Sequence, residues 1–254
     1  MGAEVSTLRD QLKKLGLHTM ADSVEHEADI AAKSGSSFTG FLTRLAELEL
    51  AAKADRSIRE RVRKARFPMV RTLEAFDFSF QPSLPAAQIR ELAGLGFVDR
   101  AEPVIFVGAS GTGKSHLAIS LGLKACEARR RVLFVSAVQL MEQLSAAMIS
   151  KTLGPLLATL TRLDLLICDE LGYLPVADAR QANLFFQLIS RRYEQGATII
   201  TTNRPFEQWG KTFGDDTIAA AILDRLLHHA HIFPIKGPSY RLKDKLPVGE
   251  ELPA

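Results

Sequence analysis

The stretch Gly108-Ala109-Ser110-Gly111-Thr112-Gly113-Lys114-Ser115 constrains this chain more than any other. It fits G-x-x-x-x-G-K-[ST], the phosphate-binding P-loop, and both flanks fit as well. Pro103-Val104-Ile105-Phe106-Val107 reads as a short buried strand, and His116-Leu117-Ala118-Ile119-Ser120-Leu121 as the opening of a helix. Glycines let the backbone curl so that its N–H groups point inward at phosphate oxygens. The helix N-terminus adds the positive end of its dipole. Lys114 is expected to reach the β- and γ-phosphates, and the Ser115 hydroxyl to bind Mg²⁺. The bland alternative, a glycine-rich turn that happens to hold a lysine, is disfavoured by the strand before it and the helix after it.

The chain has 254 residues, 46% of them hydrophobic. That suffices for one large core, or one core with a small helical appendage. A net charge of +3 permits a nucleic-acid partner without demanding one, so the placement of the basic residues matters more. Cys126 and Cys168 are the only cysteines, too few for a disulfide framework. With Cys168 in an apolar strand, a reducing cytoplasm is the expected location. No apolar run approaches a membrane span, and the N-terminus lacks the apolar core of a signal peptide. Met1-Gly2-Ala3-Glu4-Val5-Ser6 matches the short myristoylation pattern, which is taken as chance.

Residues 1–67 read as helical. Leu8, Leu12 and Leu15 share a face, and Gly16 is a plausible stop. A second helix is expected over 18–33, a turn at Ser34-Gly35-Ser36-Ser37, and a third helix marked by Phe38, Leu42, Leu45 and Leu48. A fourth carries Arg56, Arg59, Arg63 and Arg66 in one stripe, opposite a thin apolar stripe of Ile58, Val62 and Ala65. Arg61 and Lys64 widen its basic face, and Pro68 ends it. The stripe is either a solvated helix face or a contact surface for DNA or a protein partner. Next, Leu73–Pro82 places Phe76, Phe78 and Phe80 at alternate positions, which suggests an extended segment laid on an apolar surface. After a helix near 86–93, strands at 103–107, 132–136, 164–168, 197–202 and 231–235 alternate with helices. One of these helices starts at Ser136 with capping-box spacing to Gln139. Such alternation means α/β architecture, a parallel five-stranded sheet covered on both faces. The expected organisation is a helical N-terminal domain (1–67), a linker with a leading helix (68–100), and a nucleotide-binding domain (101–254).

Leu165-Leu166-Ile167-Cys168-Asp169-Glu170 is an apolar strand ending in two acids. A carboxylate at that edge, beside the P-loop, can hold the hydration shell of Mg²⁺, a role that falls to Asp169. Successive strand residues alternate in direction, so Glu170 points elsewhere and is placed to polarise an attacking water. A second acid here separates hydrolytic ATPases from small-molecule kinases, which must exclude water. Thr198-Ile199-Ile200-Thr201-Thr202-Asn203 ends in a polar tip, and Asn203 can bond the γ-phosphate or the attacking water. A helix over 218–229 carries Leu223-Asp224-Arg225-Leu226-Leu227. Arg225 could pair with an acid such as Asp224, or reach a neighbouring subunit's γ-phosphate as an arginine finger. His228, His229 and His231 follow. No cysteine or acid stands at ligand spacing beside them, so histidines favourable to the helix dipole are the simpler reading.

With these residues in view, the chain resembles the IstB family, the ATPase helpers encoded beside the transposase of IS21-type insertion sequences. The resemblance runs through Leu8-Arg9-Asp10-Gln11-Leu12-Lys13, Leu73-Glu74-Ala75-Phe76-Asp77-Phe78 and the P-loop. It continues in Leu165–Pro175, Thr202-Asn203-Arg204-Pro205-Phe206, Trp209-Gly210, Ile222–His229 and Ser239-Tyr240-Arg241. It implies an AAA+ ATPase of the clade shared with DnaC-type helicase loaders: a three-layer P-loop fold without a C-terminal lid, preceded by a small all-helical domain. It implies ATP and Mg²⁺ as cofactors, Arg225 as arginine finger and Arg241 as a sensor on bound nucleotide, with His116 joining the nucleotide-binding set. Without a lid, part of the pocket must come from elsewhere, and Phe76 and Phe78 are the candidates for flanking the adenine. It also implies an ATP-dependent homo-oligomer on double-stranded DNA that engages an IS21-type transposase and helps select its target. A helicase loader of the DnaC type, a small-metabolite kinase, and a DNA-binding protein with structural nucleotide are the competing readings.

Overall fold

The computed structural model describes residues 2–173 and 179–242, and the structural statements below concern these. The chain divides into two compact units, Met1–Glu60 and Arg61–Ala254.

The first unit is helical. Helices α1 (Gly2–Lys14) and α2 (His18–Ser34) are separated by Gly16 in a left-handed conformation, and α2 ends on left-handed Gly35. Leu12, Ala21, Val24 and Leu45 form its small core. The first turn of α2 has no side-chain cap of its own. Instead, Glu49 reaches across from α3 (Phe38–Ala65) and accepts the Met20 N–H at 3.0 Å. This satisfies one of the unpaired donors at a helix start. The expected third and fourth helices are one. Ala51-Ala52-Lys53-Ala54 bridges them with strong helix formers, and no breaker intervenes before Arg66.

The second unit opens with helices α4 (Ala86–Leu92) and α5 (Gly96–Asp99). Then follow β1 (Pro103–Gly108), α6 (Lys114–Glu127), β2 (Val132–Ser136), α7 (Ala137–Ile149) and α8 (Leu153–Thr161). The chain continues through β3 (Leu165–Leu171), α9 (Ala179–Arg192), β4 (Ala197–Thr202), α10 (Trp209–Phe213), α11 (Asp216–Leu227) and β5 (His231–Ile235). Ser136 caps α7 by accepting the Gln139 N–H, as its spacing predicts. The strands form one parallel sheet in the order β2-β3-β4-β1-β5. Alternate residues bury to opposite faces. Val104, Phe106, Ile167 and Ile199 join α4–α6 in one core, while Ile105, Leu166, Cys168 and Ile200 join α7–α11 in the other. Both faces being covered explains why β1, β3 and β4 read as continuous apolar runs, whereas the edge strand β5 buries only Phe233 and Ile235 and exposes Ile232 and Pro234.

The linker is not extended. Its backbone turns at Leu73–Phe76, Phe78–Gln81 and Gln81–Leu84, and Asp77 Oδ1 accepts the N–H groups of Ser79 and Phe80. This aspartate-led turn overrides the alternating phenylalanine pattern. Among the described residues, no helix is long and apolar enough to cross a membrane.

Candidate nucleotide-binding site

The P-loop joins the end of β1 to the start of α6. Gly111 and Gly113 adopt φ of +81° and +96°, which side-chain-bearing residues rarely hold. Neither has room for a side chain. A Cβ on Gly111 would collide with Ser239 Oγ, and one on Gly113 would lie 2.6 Å from Phe76 Cε2. Thr112 is buried and donates to the Ala109 carbonyl at 2.9 Å. Lys114 Nζ donates to the carbonyls of Gly108 (2.8 Å) and Ala109 (2.6 Å). Burial holds the Lys114 pKa below its ordinary value, against the opposing pull of Asp169 and Glu170.

A cavity of about 390 Å³ opens over this loop. Ser110–His116, Asp169, Glu170, Asn203 and Arg241 all reach it. Gly108 and Ala109 lie beneath, supplying the carbonyls that hold Lys114. Asp169, buried at the end of β3, accepts from Ser115 Oγ at 2.8 Å and from Thr201 Oγ1. The same Thr201 oxygen accepts the Glu170 N–H at 2.9 Å. Strand alternation is not what separates the two acids. The β3–β4 register shifts between Cys168 and Leu171, and Glu170 takes φ of +61°. This bulge re-aims the Glu170 side chain, which is exposed while its neighbours are buried.

One wall comes from the turns before α4. Phe76 packs its edge on His116 with ring centroids 5.2 Å apart, and His116 Nε2 lies 2.8 Å from the Thr72 carbonyl oxygen. Burial lowers the His116 pKa. Phe78 does not reach the cavity. It packs against Phe76 and the core, with the Arg90 guanidinium 5.2 Å over its ring. A strap beyond β5 closes another side. Tyr240 N–H donates to the Gly111 carbonyl at 2.9 Å, its ring meets Phe80, and Gln81 Nε2 holds the Pro238 carbonyl at 3.1 Å. Arg241 follows, exposed at the cavity mouth.

Arg225 stands apart from its own chain's cavity. Its guanidinium lies 4.8 Å over the Phe186 ring and Nη1 donates to the Ala221 carbonyl. Among the described residues it makes no ion pair with Asp224. In the arginine stripe, Arg56 binds Glu49 at 2.9 Å and Arg59 pairs with Asp55. Arg63 and Arg66 are exposed and form no ion pair among the described residues. Leu174 and Pro175, the end of the Leu165–Pro175 block, lie outside the described residues.

Sequence reasoning gave no role to Thr201, Ser239 or Tyr240. Thr201 stands near the tip of an apolar strand, which is the local sequence signal for it, and its full burial emerges only in the fold. The strap on Gly111 had no local signal, because it links residues far apart in the chain.

A glycine cradle with no room for side chains, a lysine under it, and a hydroxyl–carboxylate pair beside it define a P-loop nucleotide-binding protein. A family profile described as IstB-like ATP binding protein matches residues 10–247, and the chain belongs to that family. It is 44% identical to the insertion sequence IS21 ATP-binding protein of Pseudomonas aeruginosa, over 94% of this chain and 89% of that one. It is 40% identical to the insertion sequence IS5376 ATP-binding protein of Geobacillus stearothermophilus, over 94% of each chain. The DnaC helicase loader shares the fold, with a TM-score of 0.51 and 24% identity over 59% of this chain and 88% of that one.

Proposed function

We propose that this chain is an ATP-hydrolysing, DNA-binding helper of insertion-sequence transposition, assembling with ATP on duplex DNA and engaging the transposase to select a target. The family supplies the ATP ligand and the insertion-sequence setting. The observation that carries hydrolysis is Glu170, whose backbone N–H is tied to Thr201 while its carboxylate is left exposed at the cavity.

The site fits ATP with Mg²⁺. The loop N–H groups and Lys114 suit phosphate oxygens, and Ser115 with Asp169 offers the oxygen donors that a hard divalent cation prefers. Mg²⁺ bound there would offset the phosphate charge. Glu170 takes the proton of the attacking water, and Asn203 orients that water or the terminal phosphate. Phe76 borders the space for the base, without Phe78. Arg241 senses the bound nucleotide. Arg225, outside its own chain's cavity, completes the site of a neighbouring copy.

The test is Glu170→Gln. The variant should bind ATP normally and hydrolyse it slower by orders of magnitude. By sizing, it should accumulate as oligomers on duplex DNA. Turnover equal to the wild type would sink the reading. The DnaC likeness favours a second reading, a helicase loader, whose core would behave identically. Capture by a transposase rather than by a replicative helicase separates the two.

A further inference from the structure

His228 and His229 follow the last turn of α11 and have no part in the nucleotide site. The sequence shows no acid at ligand spacing beside them, but the fold brings one. Glu194, two residues beyond α9, lies against both histidines, and one donor atom from each of the three residues falls within 4.8 Å of the others. The separation between His228 Nδ1 and Glu194 Oε1 is 3.8 Å. The two imidazole centroids are 3.9 Å apart, and the Tyr193 hydroxyl lies 2.7 Å from His228 Nδ1, a hydrogen bond that a metal on that nitrogen would displace. His231 is separate, held 2.8 Å from Glu102.

We propose that Glu194, His228 and His229 form a binding site for a divalent transition metal of the zinc type, where the ends of α9 and α11 meet. Zinc binds imidazole nitrogen and carboxylate oxygen at about 2.0–2.2 Å, which puts tetrahedral ligands roughly 3.3 Å apart. The three side chains are exposed, so small rotations close the remaining distance. Two imidazoles select zinc, copper, nickel or cobalt over Mg²⁺ and Ca²⁺, which prefer all-oxygen sets. Water would complete the coordination.

The backbone is consistent with this use. Glu194 and His229 both hold left-handed conformations, with φ of +55° and +58°. The same conformation follows other helices at Arg66, Arg129 and Lys151, so it is the ordinary helix-ending turn, and at 194 and 229 it carries a donor into the cluster. The position also has a consequence. Phe186 on α9 carries the Arg225 guanidinium, and Arg225 lies on α11. A metal joining the ends of α9 and α11 would fix the pair of helices that aims Arg225.

The test uses the full chain without a histidine tag, stripped by chelator and titrated without nucleotide. Zn²⁺ affinity is read by competition with a chromophoric chelator, and geometry by the visible absorption of Co²⁺. The wild type should take up one Zn²⁺ per chain at micromolar affinity or tighter, and its melting temperature should rise. Glu194→Gln and His229→Gly should each weaken uptake roughly tenfold or more, as loss of a ligand implies. Glycine keeps the left-handed backbone at 229, so that variant should still fold. His231→Asn, outside the triad, should bind as the wild type does. No stoichiometric uptake by the wild type, or equal uptake by the wild type and both triad variants, would overturn the proposal. Because ATP takes no part, failure here leaves the nucleotide reading standing.

Discussion

The hydroxyl of Thr201 donates to Oδ1 of Asp169, joining the ends of β4 and β3 under the nucleotide cavity. Since the same oxygen accepts the Glu170 N–H, one neutral side chain positions both acids.

Thr201→Val should therefore slow ATP turnover strongly while sparing ATP affinity. Valine keeps the volume and leaves the Glu170 N–H without its partner, a loss of about 1–3 kcal/mol. Thr201→Ser should retain turnover. Steady-state rates beside nucleotide titrations check both, and wild-type turnover in the valine variant would remove Thr201 from the site.

Gly113→Ala meets two obstacles, a φ of +96° and the Phe76 ring. ATP affinity should fall by tenfold or more with the fold intact by circular dichroism. Adding Phe76→Ala relieves only the collision, so rescue should be partial. Full rescue would show that the conformation of the loop is not the constraint.

For Arg225, mixing is the informative experiment. Arg225→Ala should bind ATP as the wild type does and lose about 10³-fold or more in turnover. Because its guanidinium rests on Phe186 rather than in its own cavity, Arg225→Ala and Glu170→Gln subunits should partly complement when mixed. No recovery at any ratio would assign Arg225 to structure alone.

The arginine stripe should split in two. Arg63→Ala with Arg66→Ala should weaken duplex DNA binding for every sequence and lower the log–log salt slope by roughly one per arginine. Arg56→Ala should instead destabilise the helical unit, since Glu49 is buried and Arg56, at 2.9 Å, is a nearer ion partner to it than Lys53 at 4.0 Å. Titrations at several salt concentrations, with thermal melting alongside, distinguish the two effects. An unchanged slope in the double variant would move the DNA surface elsewhere.

Glu49 also predicts a pH dependence. Burial opposes its ionisation, but the Met20 N–H and Arg56 prevail and its pKa falls below the ordinary 4.5. A depressed carboxylate stabilises the fold above that ordinary value and loses the contribution as pH falls through the folded-state value. Melting of Glu49→Gln should therefore differ most from the wild type near neutrality, with the gap narrowing below pH 4.5. A constant gap would exclude the ionised carboxylate as the cause.

Much of this was legible in the sequence. The five strands of the described residues lie where their apolar runs place them, and for β1, β3 and β4 burial on both faces admits little else. The P-loop and the acids at 169 and 170 followed from local spacing. Legibility failed where distant segments decide. An aspartate-led turn coils the phenylalanine linker, a bulge rather than alternation turns Glu170, and Glu194 meets His228 only through the packing of α9 on α11. Periodicity carries no information about such contacts.

The strand order has one more consequence, for how the protein comes into being. The strand that leads into the P-loop has no partner among the strands made just after it. Val104 pairs with Ile199 on one side and His231 on the other, while β2 and β3 pair with each other. A ribosome that has released everything up to β3 has delivered the whole loop and both acids, yet β1 still lacks both neighbours. Closing such distant pairs is slow. Nucleotide binding in this chain should thus follow completed folding, and a fragment ending before β4 should retain the motif without the affinity.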